Sequence, residues 1–255
     1  MQLFFIGCEY SGTTTLSRKL DEWLVETIGD QGMGYHDHWK IPEISGHPPH
    51  ETSVTILTEE EQEQVYKASP VVKELLMRYA LYYHSPQGPQ PIGTGSARVG
   101  YYFDELIYAP RYYGYGGEGE LGDRRIEANK IETILSKYAP DLVLILVTCS
   151  PETIIHRKKT NPHRNEVVPE QDIPLILNRF QEEFNNSKMK NKISIDTTSD
   201  SIDQSVKKLA KKIEPYLSHE DRLKLLLNQL IISLGDWLFN DILCSAKYWI
   251  RPILG

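Results

Sequence analysis

Residues 3–16 read Leu3-Phe4-Phe5-Ile6-Gly7-Cys8-Glu9-Tyr10-Ser11-Gly12-Thr13-Thr14-Thr15-Leu16. Four consecutive apolar residues ended by glycine have the form of a strand covered on both faces, as in a parallel sheet. From Thr13 onward Leu16, Leu20, Trp23, Leu24 and Ile28 share one helical face, and Gly29 closes the pattern. Between strand and helix, Gly7 to Thr14 has the spacing G-x-x-x-x-G-x-[ST] of a phosphate-binding loop. Backbone N–H groups of Ser11 to Thr15 would then face an anion at the positive end of the helix, with the glycines letting the backbone approach it. The plainer reading is a tight turn that only feeds the helix.

Outward from this unit, strands and helices alternate. Met33 to Tyr35 reads as a short strand opening a long loop over 31–58 that holds four of the eight histidines. Pro70 to Tyr83 reads as a helix, Pro91-Ile92-Gly93 as the start of a third strand, and Leu121 to Tyr138 as a helix. Leu142 to Val147 has no alternation at all, which predicts the centre of a parallel sheet. Pro151 opens a helix at its first turn, and Asp172 to Phe184, Lys192 to Ile195 and a helix capped by Ser201 complete the pattern. The expected fold is α/β, a parallel sheet flanked by helices on both faces. Residues 1–215 form that domain, and residues 216–255, with Trp237, Phe239 and Trp249, form a helical extension packed on the domain or on a second subunit.

The chain has 255 residues and carries 28 Lys plus Arg against 35 Asp plus Glu, a formal charge of -7, so general affinity for nucleic acid or anionic membrane is not expected. Cys8, Cys149 and Cys244 are far apart, without Cys-x-x-Cys, and argue for neither a disulfide framework nor a zinc site. With no basic leader at the N-terminus and no apolar stretch of membrane length, the expectation is a cytoplasmic protein.

The loop has Thr13 where nucleotide-hydrolysing enzymes place the lysine that reaches the β and γ phosphates, so γ-phosphoryl transfer would need another cation. Ser11-Gly12-Thr13-Thr14, followed by Thr15-Leu16, resembles the 5′-phosphosulfate loop of sulfotransferases that use 3′-phosphoadenylyl sulfate (PAPS). The resemblance implies a P-loop NTPase-like three-layer architecture. It also implies sulfuryl transfer to a hydroxyl of a small metabolite, adenosine 3′,5′-bisphosphate as product, and no metal requirement. The family's loop role carries over to Ser11, Gly12, Thr13, Thr14 and Thr15, with Gly7 and Tyr10 in the same loop. Two departures stand out: Tyr10 occupies the position of the family's Lys or Arg, and Thr148-Cys149-Ser150-Pro151 lacks the arginine of its second motif. Arg18, Lys40 or a lid residue would have to replace the loop cation. Ser150-Pro151-Glu152 and the basic run after it look instead like nucleoside and nucleotide kinases. Arg157, Lys158, Lys159, His163 and Arg164 concentrate positive charge as an anion-closing lid would, and Arg157, Lys158 and Arg164 are the candidate phosphate ligands. A solvated basic loop is the plainer reading. The alternative function is therefore an ATP-dependent kinase-like phosphotransferase, and a third is a catalytically silent nucleotide-binding module.

A base is wanted beyond the second strand, beside the loop. His38 and Asp37 are the leading candidates, followed by His36, because imidazole titrates near ~6.5 and Asp37 can orient it or act itself. A plain surface loop, or a metal site built from His36, His38, His47 and His50, are the rival readings. The six tyrosines at 101, 102, 108, 112, 113 and 115, with Asp104, Glu105, Glu118 and Glu120, either line an acceptor pocket or pack the core. As a pocket they suit a cationic or polyhydroxylated acceptor, with tailoring of a guanidinium alkaloid as the narrower expectation. That expectation is lost if the segment is buried away from the loop. One of Arg124 and Arg125 either reaches the site or forms a structural ion pair.

Overall fold

A computed structural model describes residues 2–28, 34–37, 40–42, 44, 57–89, 96–231 and 233–234. Five strands, β1 (Gln2–Ile6), β2 (Gly34–His36), β3 (Ser96–Val99), β4 (Val143–Thr148) and β5 (Asn191–Asp196), form one sheet in the order β2-β3-β1-β4-β5. Every pairing is parallel. The two apolar runs singled out in the sequence lie side by side at its centre, with Leu3 opposite Val143 and Ile6 opposite Leu146.

Their lack of alternation has a direct cause. Phe4, Ile6, Leu144 and Leu146 enter one core, while Leu3, Phe5, Val143, Ile145 and Val147 enter a second on the other face. The helices in chain order are α1 (Thr13–Ile28), α2 (Glu59–Lys67), α3 (Pro70–Tyr83), α4 (Tyr101–Tyr108), α5 (Arg124–Tyr138), α6 (Pro151–Thr160), α7 (Ile173–Asn186) and α8 (Ile202–Ile213). Leu16, Leu20 and Leu24 of α1 join Val206, Leu209 and Ile213 of α8 over the second face. Residues of α3, α4, α5 and α7 cover the first. The result is three layers with the phosphate-loop turn at the carboxyl edge of the central strand, where parallel sheets bind ligands.

Local signals set several boundaries. Ser69, Ser150 and Ser201 each accept a backbone N–H at a helix start, and Pro70 and Pro151 occupy first turns. The expected start at Leu121 moves to Arg124, because Asp123 caps α5 through the N–H groups of Arg125 and Ile126. Pro91-Ile92-Gly93 lies outside the described residues; the strand that joins β1 to β2 is Ser96–Val99.

Beyond α8, residues 219–231 are helical. Asn228 donates to the carbonyls of Glu26 and Thr27, and Leu225 packs on the second core, so this segment docks against the end of α1. Trp237, Phe239 and Trp249 lie outside the described residues. Among the described residues no helix is long and apolar enough to cross a membrane.

Candidate active site

The turn from β1 into α1 is shaped by two glycines with different duties. A Cβ on Gly7 would stand 2.3 Å from the Val147 carbonyl oxygen, so glycine is required for the loop to leave the sheet beside β4. Gly12 has φ +104, a backbone region that side chains rarely adopt, yet the nearest atom to its virtual Cβ is Arg157 Nη1 at 3.8 Å. The space is open and the constraint is conformational. Strain in this region is of order 1–3 kcal/mol, so Gly12→Val is expected to weaken nucleotide binding roughly ten- to hundred-fold. Calorimetric titration would check this, and unchanged affinity would remove the loop from the binding site.

A cleft of about 590 Å³ opens over the loop, lined by Tyr10, Ser11, Gly12, Thr13, Thr14 and Thr15 together with Arg18, Asp37, Lys40 and Arg157. Of the sequence candidates, Gly7 lies beneath the loop and shapes it. Thr14 Oγ1 donates to Asp37 Oδ2 at 2.7 Å, which brings the carboxylate after β2 onto the first turn of α1. His36 is half-buried with its ring 5.0 Å from that of His84, and it does not line the cleft. His38, His47 and His50 lie outside the described residues, among which no group of three or more His, Cys, Asp or Glu is arranged to hold a metal.

The basic lid divides. Arg157 Nη1 donates to the carbonyls of Tyr10 (2.9 Å) and Ser11 (3.1 Å), and Nη2 to that of Thr197 (2.8 Å). The guanidinium therefore fixes the loop from behind and puts a permanent cation at the cleft wall. Lys158 and Arg164 do not line the cleft. Lys158 is held by Glu166 (2.9 Å) and the Val168 carbonyl (2.7 Å), and Arg164 pairs at the exposed surface with Glu59. A nearby carboxylate, Glu166, and a distant one, Glu59, have claimed these two cations.

The loop also reaches up to the lid. Tyr10, at φ 63, donates its hydroxyl to Glu166 Oε1 (2.5 Å), accepts from the His163 N–H (2.8 Å) and stands edge-on to the His163 ring. Burial and Glu166 push its phenol up to about 12, so it remains a donor. Glu9 Oε2 accepts from the N–H groups of Val167 and Val168, while its other oxygen pairs with Lys40 at 3.5 Å. Neither role was visible in the sequence, because the partners lie more than 150 residues away.

The tyrosine-rich segment packs the core and none of its six tyrosines lines the cleft, so the expected acceptor pocket for a cationic ligand, and with it the guanidinium alkaloid, finds no lining here. Tyr101 donates to the Leu81 carbonyl, Tyr102 to Glu132, Tyr112 to Asp172 and Tyr115 to Glu105, all structural partners. Arg124 resolves the same way. It is 1% exposed and pairs with Glu105 (2.8 Å) and Glu74 (3.1 Å), far from any role in anion binding. Asp104 differs: it is fully buried, its Oδ1 has no hydrogen-bond partner, and burial, with help from Asp37, Glu9 and Glu105, pushes its carboxyl up to about 7 against the pull of Lys40. A carboxyl raised by folding contributes most when protonated, so its contribution falls as pH rises from about 4 through 7. Asp104→Asn is accordingly expected to raise the melting temperature at pH 8 by a few degrees and much less at pH 4.5. Equal effects at both pH values would show that Asp104 is ionised throughout.

No family model and no curated protein sequence matches the chain. Solved structures do. Deoxyadenosine kinase from M. mycoides with dCMP and dCDP superimposes with a TM-score of 0.53 at 13% identity, covering 85% of this chain and all of that one. Thymidylate kinase from Candida albicans superimposes with a TM-score of 0.50 at 17% identity, covering 84% and 91%. The three-layer α/β fold resembles that of these kinases. The solved structures that superimpose are kinases, and the sulfotransferase resemblance of Ser11-Gly12-Thr13-Thr14 rests on the sequence of one loop.

Proposed function

We propose that this chain is a phosphotransferase that moves the γ-phosphoryl group of a nucleoside triphosphate to a hydroxyl of a small-molecule acceptor. The observation that carries the reading is the Thr14 Oγ1–Asp37 Oδ2 pair at 2.7 Å inside the cleft. A loop hydroxyl beside a carboxylate is the donor set with which phosphate-loop enzymes hold Mg²⁺, an ion that takes one or two protein oxygens and completes its shell with phosphate and water. Thr14 and Asp37 would hold it, and when bound it neutralises charge on the β and γ oxygens. The rest falls to the chain itself. The loop N–H groups at the start of α1 orient the phosphates. Arg157, fixed to the loop carbonyls, places a positive charge that Thr13 does not provide. Because the transition state is loose, positioning and charge neutralisation account for most of the acceleration.

A second reading, sulfuryl transfer from PAPS without metal, is favoured by Thr13 in place of lysine. The two separate in one calorimetric experiment, with ATP in magnesium, ATP in excess chelator, and adenosine 3′,5′-bisphosphate as titrants. Magnesium-dependent ATP binding that Asp37→Asn weakens supports phosphoryl transfer. Metal-independent binding of the bisphosphate, with little affinity for ATP, would replace it with sulfuryl transfer.

A further inference from the structure

The helix over 219–231 is anchored to the domain along one side only. Ser218 and Asp221 cap it reciprocally, each side chain accepting the other's backbone N–H, and Asp221 is buried. Leu225 packs on the second core, and Asn228 donates to the carbonyls at the end of α1. Asp221, Leu225 and Asn228 are spaced by four and three residues and so share one face. That face is occupied, and its anchors fix how the helix is rotated against the domain.

The opposite face is apolar and open. Leu223, Leu226, Leu227, Leu230, Ile231 and Leu234 are 50–67% exposed. At about 3.6 residues per turn they fill one arc of about 140° opposite the anchored face, and no polar residue between 223 and 234 falls within it. Monomeric proteins rarely leave so continuous a stripe in water. The spacing of the stripe identifies its cover. Leu223 and Leu234, Leu226 and Ile231, and Leu227 and Leu230 lie at equal distances from the midpoint between Asn228 and Gln229. A copy of the helix turned end for end about that point meets leucine with leucine or isoleucine at every level, the self-complementarity that a two-fold interface demands. With roughly 100 Å² open on each side chain, the pair would bury about 1,200 Å² in all, the lower end of stable interfaces. Charge argues against an anionic membrane as the cover. Glu220 and Asp221 balance Arg222 and Lys224, and no lysine or arginine follows until Lys247, whereas helices that lie on such membranes carry a basic polar face.

We infer that a second copy of this chain covers the stripe, the two helices packing antiparallel about a two-fold axis at residues 228 and 229. Leu227 then meets the partner's Leu230, and Leu223 the partner's Leu234. The contact lies at the opposite end of α1 from the phosphate loop, so it stands or falls independently of the phosphotransferase reading.

Sedimentation equilibrium of the full chain is expected to give about twice the 29.3 kDa of a single chain. Leu227→Glu/Leu230→Glu sets carboxylates against each other at the two-fold axis and is expected to raise the dimer dissociation constant about hundred-fold or more. Both positions are open in the single chain, so its fold is expected to persist. The register is read by disulfide trapping under air oxidation in a Cys244→Ser background, Cys8 and Cys149 being buried. Leu223→Cys and Leu234→Cys proteins are expected to cross-link when mixed and not when separate, because like positions stand about 16 Å apart along the paired helices. A native chain that sediments as a monomer would overturn the inference, whether residues 235–255 cover the stripe or the single chain binds phosphatidylcholine vesicles through it. So would a dimer that survives the two glutamates, or cross-linking of Leu223→Cys by itself. If the double variant does not fold, the trapping contrast decides.

Discussion

Replacement of Arg124 by methionine is expected to destabilise the protein by about 3–5 kcal/mol, because it leaves two buried carboxylates without their shared cation. Glu74, Glu105 and Arg124 are each at most 1% exposed, and the guanidinium also donates to the Gly122 carbonyl and lies 4.9 Å over the Tyr115 ring. Burial raises the Glu105 carboxyl, and Arg124 is the main force lowering it again. Without Arg124 the carboxyl rises further. A group raised by folding contributes stability below its unfolded value near ~4.3 and loses it as pH climbs through the folded one. The deficit of Arg124→Met should therefore be smaller at pH 5 than at pH 8, and adding Glu105→Gln should recover part of it. Urea denaturation of the three proteins at both pH values would check this. A deficit under about 1 kcal/mol, the range of exposed pairs, would mean that water reaches the triad.

Arg157→Ala should have the largest effect on ligand binding, with Arg157→Lys nearly as severe. The side chain makes three short contacts to carbonyls from two separate segments, the loop at Tyr10 and Ser11 and the turn at Thr197. Hydrogen bonds from a charged donor contribute about 1.5–3 kcal/mol each, so losing the fork and its charge is expected to lower nucleotide affinity about hundred-fold or more. Lysine keeps the charge but cannot reach two segments in one plane. Calorimetry on folded variants provides the measurement. If lysine restored full affinity, charge alone would be the function of this position.

The central strands and the loop between β1 and α1 were legible because each states its environment locally: unbroken apolar runs, two glycines at fixed spacing, a leucine stripe. Helix α2 was not recognised, although Thr58 and Glu61 form the capping box that begins it, because none of its residues is buried to set a periodic pattern. Helix α4 escaped for the opposite reason. Tyr101 to Tyr108 is buried all round, so no polar face marks its period, and Arg98 inside β3, which donates to Gln2 at 3.4 Å, disguised a buried strand. In the site, residue types were readable and pairings were not. Sequence shows a basic run over 157–164, but only the fold shows that Glu166 and Glu59 claim two of its cations while Arg157 turns inward. The closeness of Thr14 to Asp37 depends in the same way on where β2 delivers the chain.

Glu9 and Tyr10 make loop and lid a single mechanical part. The loop gives up one carboxylate and one phenol to the backbone at 163, 167 and 168, and Tyr10 holds a left-handed backbone angle while its ring and hydroxyl are gripped from above. Lifting the lid releases both side chains, and with them the contacts that offset the strain at Tyr10. The loop keeps this shape with the help of contacts from residues 163–168. Under the phosphotransferase reading, a parted loop and lid would hold the donor loosely and so disfavour its transfer to water.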